Sequence, residues 1–510
     1  MPQRLFHDVL PQTARAQPDK PALIVGDQTY TYRELHDAAL RCARSLQDLG
    51  LERGDRVAIY LPNSWFSAVS IFGALIAGGV MIVVNPQTKA EKLRGLLSDS
   101  EARFLITDQE AVSQEVPPTL EHVLCSPLSS ATSHLHDLET LLRNTPPEPT
   151  DPGTIPLDLA ALIYTSGSTG QPKGVMMTHQ SMVFTLSSVS EYLRLSADDR
   201  IFNVLPLAFS YGLYQLIMSV SLGATLILER SFSYPAQTAR RIRETQATVF
   251  PGVPTSFAAL LSLQKKGLVL PSVKRVTNAA AALPESFVAD LQTLFPNALI
   301  FKMYGLTECK RVCYLEPELI THKPYSVGKA IPGTEVFLLS ETGEGVAPGE
   351  TGILHVRGPN VMLGYWKRPD LSAHMLKEGR YPGERILCTY DHFRTDDEGF
   401  LYFVGRSDDI IKTGGEKVSP VEIEHVLHEM PSIREAAVVG LPDAVLGQTI
   451  CAYIVLEPDT KLSEREIKQF CLARLETLMV PKQLFFLDEL PKTASGKVRK
   501  KSLLETETSS

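Results

Sequence analysis

The stretch Tyr164–Gly174 reads YTSGSTGQPKG and follows directly on the apolar run LAALI at 159–163. An apolar strand thus delivers the chain into a segment holding two Thr, two Ser and three Gly in eleven residues. Consecutive small residues let backbone N–H groups turn toward one point. Thr165, Ser166, Ser168 and Thr169 add hydroxyls, and Lys173 adds a positive charge. Such a loop can wrap a polyphosphate. It departs from the P-loop pattern GxxxxGK[ST], because Pro172 precedes Lys173 and Gly174 stands where a Ser or Thr belongs. Taken alone, the segment fits a phosphate cradle and a plain surface loop equally well.

The surrounding chain narrows the choice. Its 510 residues are 44% hydrophobic and 21% charged, enough to bury more than one core. A formal charge of −8 gives no bulk case for nucleic acid or an anionic membrane surface. Seven Cys without a CxxC pair read as free thiols of a reducing, cytoplasmic compartment. Cys309 and Cys313 are close, but no His cluster accompanies them to make a metal site. The N-terminus lacks the continuous apolar core of a signal peptide. Trp65–Val84 carries no charge over twenty residues, the length of a membrane span. Gly78-Gly79 divides it, however, so it reads as a buried helix followed by the buried strand VMIVV, with no integral membrane segment.

Apolar runs such as PALIV, RVAIYL, VMIVV, ARFLIT, ATLIL and ATVFP alternate with helical patterns, notably TYRELHDAALRCARSLQDLG and PAQTARRIRET. This is α/β grammar, and uncharged strands imply sheets covered on both faces. From about residue 325 the strands become shorter and Gly-rich, predicting a small β-rich subdomain over 325–405. Residues 406–510 read as a compact α+β domain, distinct from a large N-terminal domain over 1–405. The Ser-, Thr- and Pro-rich segment 126–156 reads as a surface excursion.

Four further motifs follow in order: YGLTE at 304–308, TYDHFRTDDEGF at 389–400, GRSDDIIKTGGEKVSPVEIE at 405–424 and PKTASGKVRK at 491–500. With the first stretch they resemble the acyl- and aryl-adenylating superfamily, which includes acyl-CoA synthetases, peptide-synthetase adenylation domains and firefly luciferase. The resemblance spans nearly the whole chain. It implies that Thr165, Ser166, Gly167, Ser168, Thr169, Gly170 and Lys173 hold the β- and γ-phosphates of ATP. Tyr304 would flank adenine, Thr307 touch the α-phosphate, and Glu308 ligate Mg²⁺, which prefers oxygen ligands. Asp391 resembles the carboxylate receiving both ribose hydroxyls, with Arg406 assisting. Lys497 resembles the lysine bridging the reacting carboxylate and α-phosphate, where a mobile ammonium neutralises developing charge. Asp408 falls at the family's hinge, about which the small domain rotates. Gly414 and Gly415 would then leave space for a pantetheine arm. Lys417 fits a phosphate contact and an external salt bridge alike. His179, in MMTHQ, reads as structural.

The implied reaction joins a carboxylic acid to AMP with release of pyrophosphate, then passes the acyl group to a thiol. The acceptor is CoA or the phosphopantetheine of a carrier protein, acting with a monomer or homodimer of this chain. The acid pocket is expected around Phe209, Ser210, Tyr211, Tyr214, Asn278, Ala279 and Met303. Many relatives acting on aryl or fatty acids place a His where Phe209 falls. Amino-acid-activating domains usually place an Asp where Ser210 falls, and a buried ammonium without that partner is costly. A non-amino aryl or short-to-medium aliphatic acid is therefore expected, with carrier loading by an amino or unusual acid as the alternative. A luciferase-like oxygenase would keep the same adenylation motifs. A non-catalytic binder would lack Lys497 or Glu308, and both are present. Lys310 and Arg311 fit either an anion of substrate or carrier, or pairing with acidic neighbours such as Glu316.

Overall fold

The computed structural model describes residues 4–110, 117–130, 132–166, 172–413, 416–443, 446–458, 460–493 and 497–505; of Ser166, Lys417 and Glu505 it describes the backbone only. Helices begin where the sequence supplies caps. Thr31 caps Tyr32–Asp48 and forms a reciprocal capping box with Glu34, satisfying N–H groups that the first turn leaves open. That helix buries Leu35, Ala39, Cys42, Ala43 and Leu46, a spacing near 3.6 that lays one apolar stripe against the core.

Two sheets organise the N-terminal part. Among the described residues the larger has 14 strands. Its parallel part orders Pro21–Val25, Thr225–Leu228, Arg200–Asn203, Val249–Gly252, Arg275–Asn278 and Leu299–Tyr304. The sheet then turns antiparallel through Cys313–Leu315 and Ser326–Ala330. It continues into Leu401–Arg406, Arg385–Thr395, Thr351–Arg357 and Glu335–Leu339. The Gly-rich strands past 325 are thus hydrogen-bonded onto the main sheet. Gly328 makes that junction possible: its φ is +87°, and a Cβ there would lie 1.7 Å from the Tyr314 carbonyl oxygen.

The second sheet has eight strands among the described residues. Leu159–Ser166 lies parallel to Val80–Val83 on one side and antiparallel to Pro172–Thr178 on the other. The uncharged stretch divides as its glycines predict. Trp65–Ile76 is a buried helix, Gly78 turns at φ +92°, and Val80–Val83 is a parallel strand beside Arg56–Tyr60. No described helix is long and apolar enough to cross a membrane. Segment 126–156 is more than an excursion. Leu135–Asp137 adds an edge strand beside His122–Cys125, and Asp137 caps the helix Leu138–Asn144.

Residues beyond 410 form their own sheet of five strands among those described, with Ile433–Asp443 and Gly447–Leu456 as its long antiparallel pair. Ile423, Leu427, Val438, Ile450, Ile454 and Ile467 centre its core. This unit rests on the larger one. The Ser419 hydroxyl, which also caps Pro420–His428, donates to the Val404 carbonyl. The rings of Tyr325 and His425 stack with centroids 4.9 Å apart.

Candidate active site

The parallel strands direct their C-terminal ends toward one crevice, where open α/β sheets place ligands. Leu299–Tyr304 ends there, and the Tyr304 hydroxyl donates to Asp391 Oδ2. Asp391 lies across from Arg406 in antiparallel register. Arg406 Nε stands 3.7 Å from Asp391 Oδ1 and 3.4 Å from Asp408 Oδ1. Burial pushes the Asp391 carboxyl up to about 6, against the opposing pull of Tyr304, Arg406 and Lys497. The residue before it, Tyr390, is held at φ +56°. Such a conformation in a residue other than Gly costs about 1–3 kcal/mol and is kept where the surroundings enforce it.

Lys497, from the C-terminal unit, lies within electrostatic range of this carboxylate. Its side chain stays open to solvent, yet its ammonium is crowded enough that desolvation, joined by Arg406, lowers its pKa. Asp391 and Glu308 pull in the opposite direction, which places all four charges within electrostatic reach of one another. Asp408 sits just beyond the strand Leu401–Arg406, in a turn closed by Asp409 N–H donating 2.9 Å to the Arg406 carbonyl.

Glu308 and Thr307 occupy the half-buried turn after Tyr304. Glu308 Oε1 accepts a 2.6 Å hydrogen bond from the Tyr365 hydroxyl, a contact the sequence reading missed. Tyr365 belongs to the short strand Gly364–Tyr365, paired with Val175 of Pro172–Thr178. Lys173 Nζ lies 5.9 Å from the centroid of its ring. One tyrosine therefore ties the YGLTE turn to the strand that carries Lys173. Its only signal in the sequence is an aromatic pair after Gly364. On the other limb of that hairpin, Thr165 pairs with Lys173 and Ser166 with Pro172. Gly167, Ser168, Thr169 and Gly170 lie outside the described residues, as do Gly414, Gly415 and the Lys417 side chain. Among the described residues no cluster of three His, Cys, Asp or Glu could hold a metal alone. The lone carboxylate of Glu308 fits a hard cation that completes its shell with water and phosphate oxygens, as Mg²⁺ does.

The expected acid-pocket residues separate into two groups. Tyr211 donates to the Thr277 carbonyl at 2.8 Å, and Met303 Sδ accepts from Tyr192 at 2.9 Å. Asn278 donates to the Ala281 carbonyl, while its buried Oδ1 has no partner among the described residues. Ala279 is buried beside it, and Ala280 takes φ +74°. Tyr214 packs its ring on Phe6 and donates to Met182 O, a core position. Ser210 borders a cavity of about 10 Å³ with Met81, Ala161 and Leu213, at the seam with the second sheet. Phe209 is half-buried and precedes the helix Ser210–Leu222.

Arg311 lies over the Tyr211 ring, 5.3 Å from its centroid, donates a hydrogen bond to the Tyr192 hydroxyl, and acts electrostatically on Tyr211 and Tyr214. It is buried, and its Nε has no acceptor among the described residues. Its backbone is fixed by Asn360, which donates 2.9 Å to the Arg311 carbonyl. Lys310 is buried at φ +64° with Nζ unpartnered, and burial lowers it to about 7. Glu316 serves neither: it pairs with Arg194 at 3.0 Å and accepts from Tyr314. A cation–π contact contributes about 0.5–2 kcal/mol. A buried ion forfeits several kcal/mol of hydration, so the aromatic wall offsets only part of the Arg311 cost. His179 is structural, with Nδ1 accepting from Phe6 N–H at 3.1 Å and burial pushing it down to about 3. None of the seven Cys forms a disulfide, and all are buried.

Residues 10–366 match the AMP-binding enzyme family, and 422–497 match the AMP-binding enzyme C-terminal domain. The chain belongs to this family. It is 32% identical to a long-chain-fatty-acid–CoA ligase of Bacillus subtilis, over 100% of this chain and 95% of that protein. It is 31% identical to a 2-succinylbenzoate–CoA ligase of Bacillus licheniformis, over 97% and 98%. Among solved structures, an anthranilate CoA ligase in complex with anthranoyl-AMP superposes with a TM-score of 0.89 at 28% identity, covering 98% of this chain and 97% of that one. This AMP-binding enzyme accordingly has the large N-terminal and smaller C-terminal parts of adenylating enzymes.

Proposed function

We propose that the chain converts a carboxylic acid, ATP and a thiol into a thioester, AMP and pyrophosphate, with CoA as the thiol. The observation that carries this reading is Asp391 held between the Tyr304 hydroxyl and Arg406, with Lys497 of the C-terminal unit in electrostatic range of it. That is where an ammonium serves the first step. A carboxylate oxygen of the acid attacks the α-phosphorus, the bond to the pyrophosphate oxygen breaks, and negative charge is shared between the reacting groups. Lys497 neutralises that charge in place, an electrostatic contribution available without reorganisation.

Asp391 accepts the ribose hydroxyls, held in orientation by Tyr304 and Arg406. Thr307 faces the α-phosphate, while Lys173 and the loop 165–170 take the β- and γ-phosphates. Mg²⁺, when bound, draws charge from the phosphate oxygens; Glu308 is the residue that would hold it, oriented by Tyr365. In the second step the thiol sulfur attacks the acyl carbonyl, AMP departs, and the thiol proton passes to solvent. The C-terminal unit rotates about Asp408 between the two steps, withdrawing Lys497 and presenting Gly414–Gly415 to the pantetheine arm. Tyr211, Asn278, Ala279, Met303 and Phe209 form the wall against which the acid lies. Seven Cys without a disulfide favour a cytoplasmic setting.

Pyrophosphate release without thiol, measured across aryl, aliphatic and α-amino acids, tests the first step. CoA consumption against loading of a phosphopantetheinylated carrier protein tests the second. The expected result is acid-dependent pyrophosphate and a CoA thioester. Carrier loading without CoA turnover would reassign the acceptor, and acid-independent ATP cleavage would contradict the reading.

A further inference from the structure

Resting on the acid-activating reading above, we propose that Arg311 receives a second carboxylate of the acid, so that the preferred substrate is a dicarboxylate with one end on Arg311 and the other adenylated. Arg311 is more than nine-tenths buried, its Nε is unpartnered among the described residues, and its guanidinium meets the Tyr211 ring and the neutral Tyr192 hydroxyl. The nearest acidic side chain in sequence, Glu316, is engaged by Arg194 and Tyr314. A guanidinium cannot shed its proton to escape such a site, and a planar fork of donors matches a carboxylate.

Position separates this charge from the one that meets the reacting end. Lys497, Arg406, Asp391 and Glu308 form one mutually coupled group around the nucleotide side. Arg311 instead acts on Tyr192, Tyr211 and Tyr214, beside Met303. Its backbone is held in place: Gly305 packs closely enough that a Cβ there would lie 2.9 Å from Arg311 Cα, and Asn360 donates to the Arg311 carbonyl. Tyr211 is itself anchored to Thr277, so the aromatic face beneath the guanidinium is rigid. The arrangement provides a fixed cation on the acid side of the crevice, completed when an anion arrives with the substrate.

The test compares dicarboxylic acids, from succinate and glutarate to terephthalate, with the monoamide of each, which has the same size and no second charge. Pyrophosphate release gives kcat/KM, and the thermal midpoint with a non-hydrolysable ATP analogue gives binding. Wild-type enzyme is expected to favour at least one diacid over its monoamide by about 100-fold, the scale of a buried charge left unpaired. Arg311→Gln should remove that preference, chiefly through KM, and Arg311→Lys should restore part of it. Monoamides equal to or better than diacids in wild type would overturn the proposal. So would an Arg311→Gln variant that lowers both members of every pair equally, or failure of every diacid to react or to raise the midpoint. Should monocarboxylic acids still release pyrophosphate in that last case, the acid-activating reading stands and only the second carboxylate falls; silence from every acid would sink both.

Discussion

On the nucleotide side of the crevice, Asp391 meets Arg406 and the Tyr304 hydroxyl with Lys497 in electrostatic range, and Glu308 meets Tyr365. On the acid side, Arg311 and Lys310 are buried, and Arg311 Nε and Lys310 Nζ have no partners among the described residues. The first half is electrostatically closed before any substrate arrives. The second is open, and its balance depends on what enters. The closed half is spelled by short strings of sequence, YGLTE and PKTASGK among them. Lys310 and Arg311, just past YGLTE, belong to none of those strings.

The sharpest way to break this contrast is to open the closed half. Glu308→Gln removes the carboxylate charge and should lower adenylation by about 1,000-fold, since a metal's share of transition-state stabilisation is several kcal/mol. A titration of activity against Mg²⁺ would check it, and near-normal rates at ordinary Mg²⁺ would detach Glu308 from the metal. Asp391→Asn should cost about 100-fold in kcat/KM for ATP through lost charge-assisted hydrogen bonds. The sign of its pH dependence follows from the raised pKa. The ionised form accepts ribose hydroxyls, so kcat/KM for ATP should fall as pH drops through about 6, and the Asn variant should lose that limb.

Smaller perturbations sharpen the comparison. A Cβ at Gly305 would lie 2.4 Å from the Lys310 carbonyl oxygen. Gly305→Ala must therefore displace the 310–311 segment, and should raise KM for the acid about tenfold, the effect of a misplacement near 1 Å or less. KM for ATP should move less, and steady-state kinetics with each substrate varied would separate the two. Tyr365→Phe deletes one hydrogen bond to a carboxylate, a loss of about 1.5–3 kcal/mol at most. It should weaken the apparent Mg²⁺ affinity by about tenfold without abolishing turnover, as Mg²⁺ titration of pyrophosphate release would show.

Legibility follows the same division. Tyr304, Glu308, Asp391, Arg406 and Lys497 stand in recognisable strings, and the structure brings together residues up to 193 positions apart (304 to 497). The helix in TYRELHDAALRCARSLQDLG was readable because its apolar spacing is local. The joining of Ser326–Ala330 to the main sheet was not, because a strand's partner is chosen by distant hydrogen bonding. Tyr365 was equally hidden. Its role exists only because pairing with Val175 turns its hydroxyl toward Glu308. Arg311 stayed ambiguous between an acidic neighbour and a ligand until Arg194 was seen to occupy Glu316. Ser210 and Tyr214 looked alike with Tyr211 in sequence. Helical geometry sends them to the seam and to the core instead.

The central claim is that the C-terminal unit completes an adenylating site through Lys497. Its most direct test separates the two half-reactions in Lys497→Ala. The account predicts that acyl-AMP formation falls by about 100-fold or more, as for loss of a preorganised charge. ATP should still bind, and chemically supplied acyl-AMP should still pass to CoA at the wild-type rate. Wild-type acyl-AMP formation by the variant would contradict the claim.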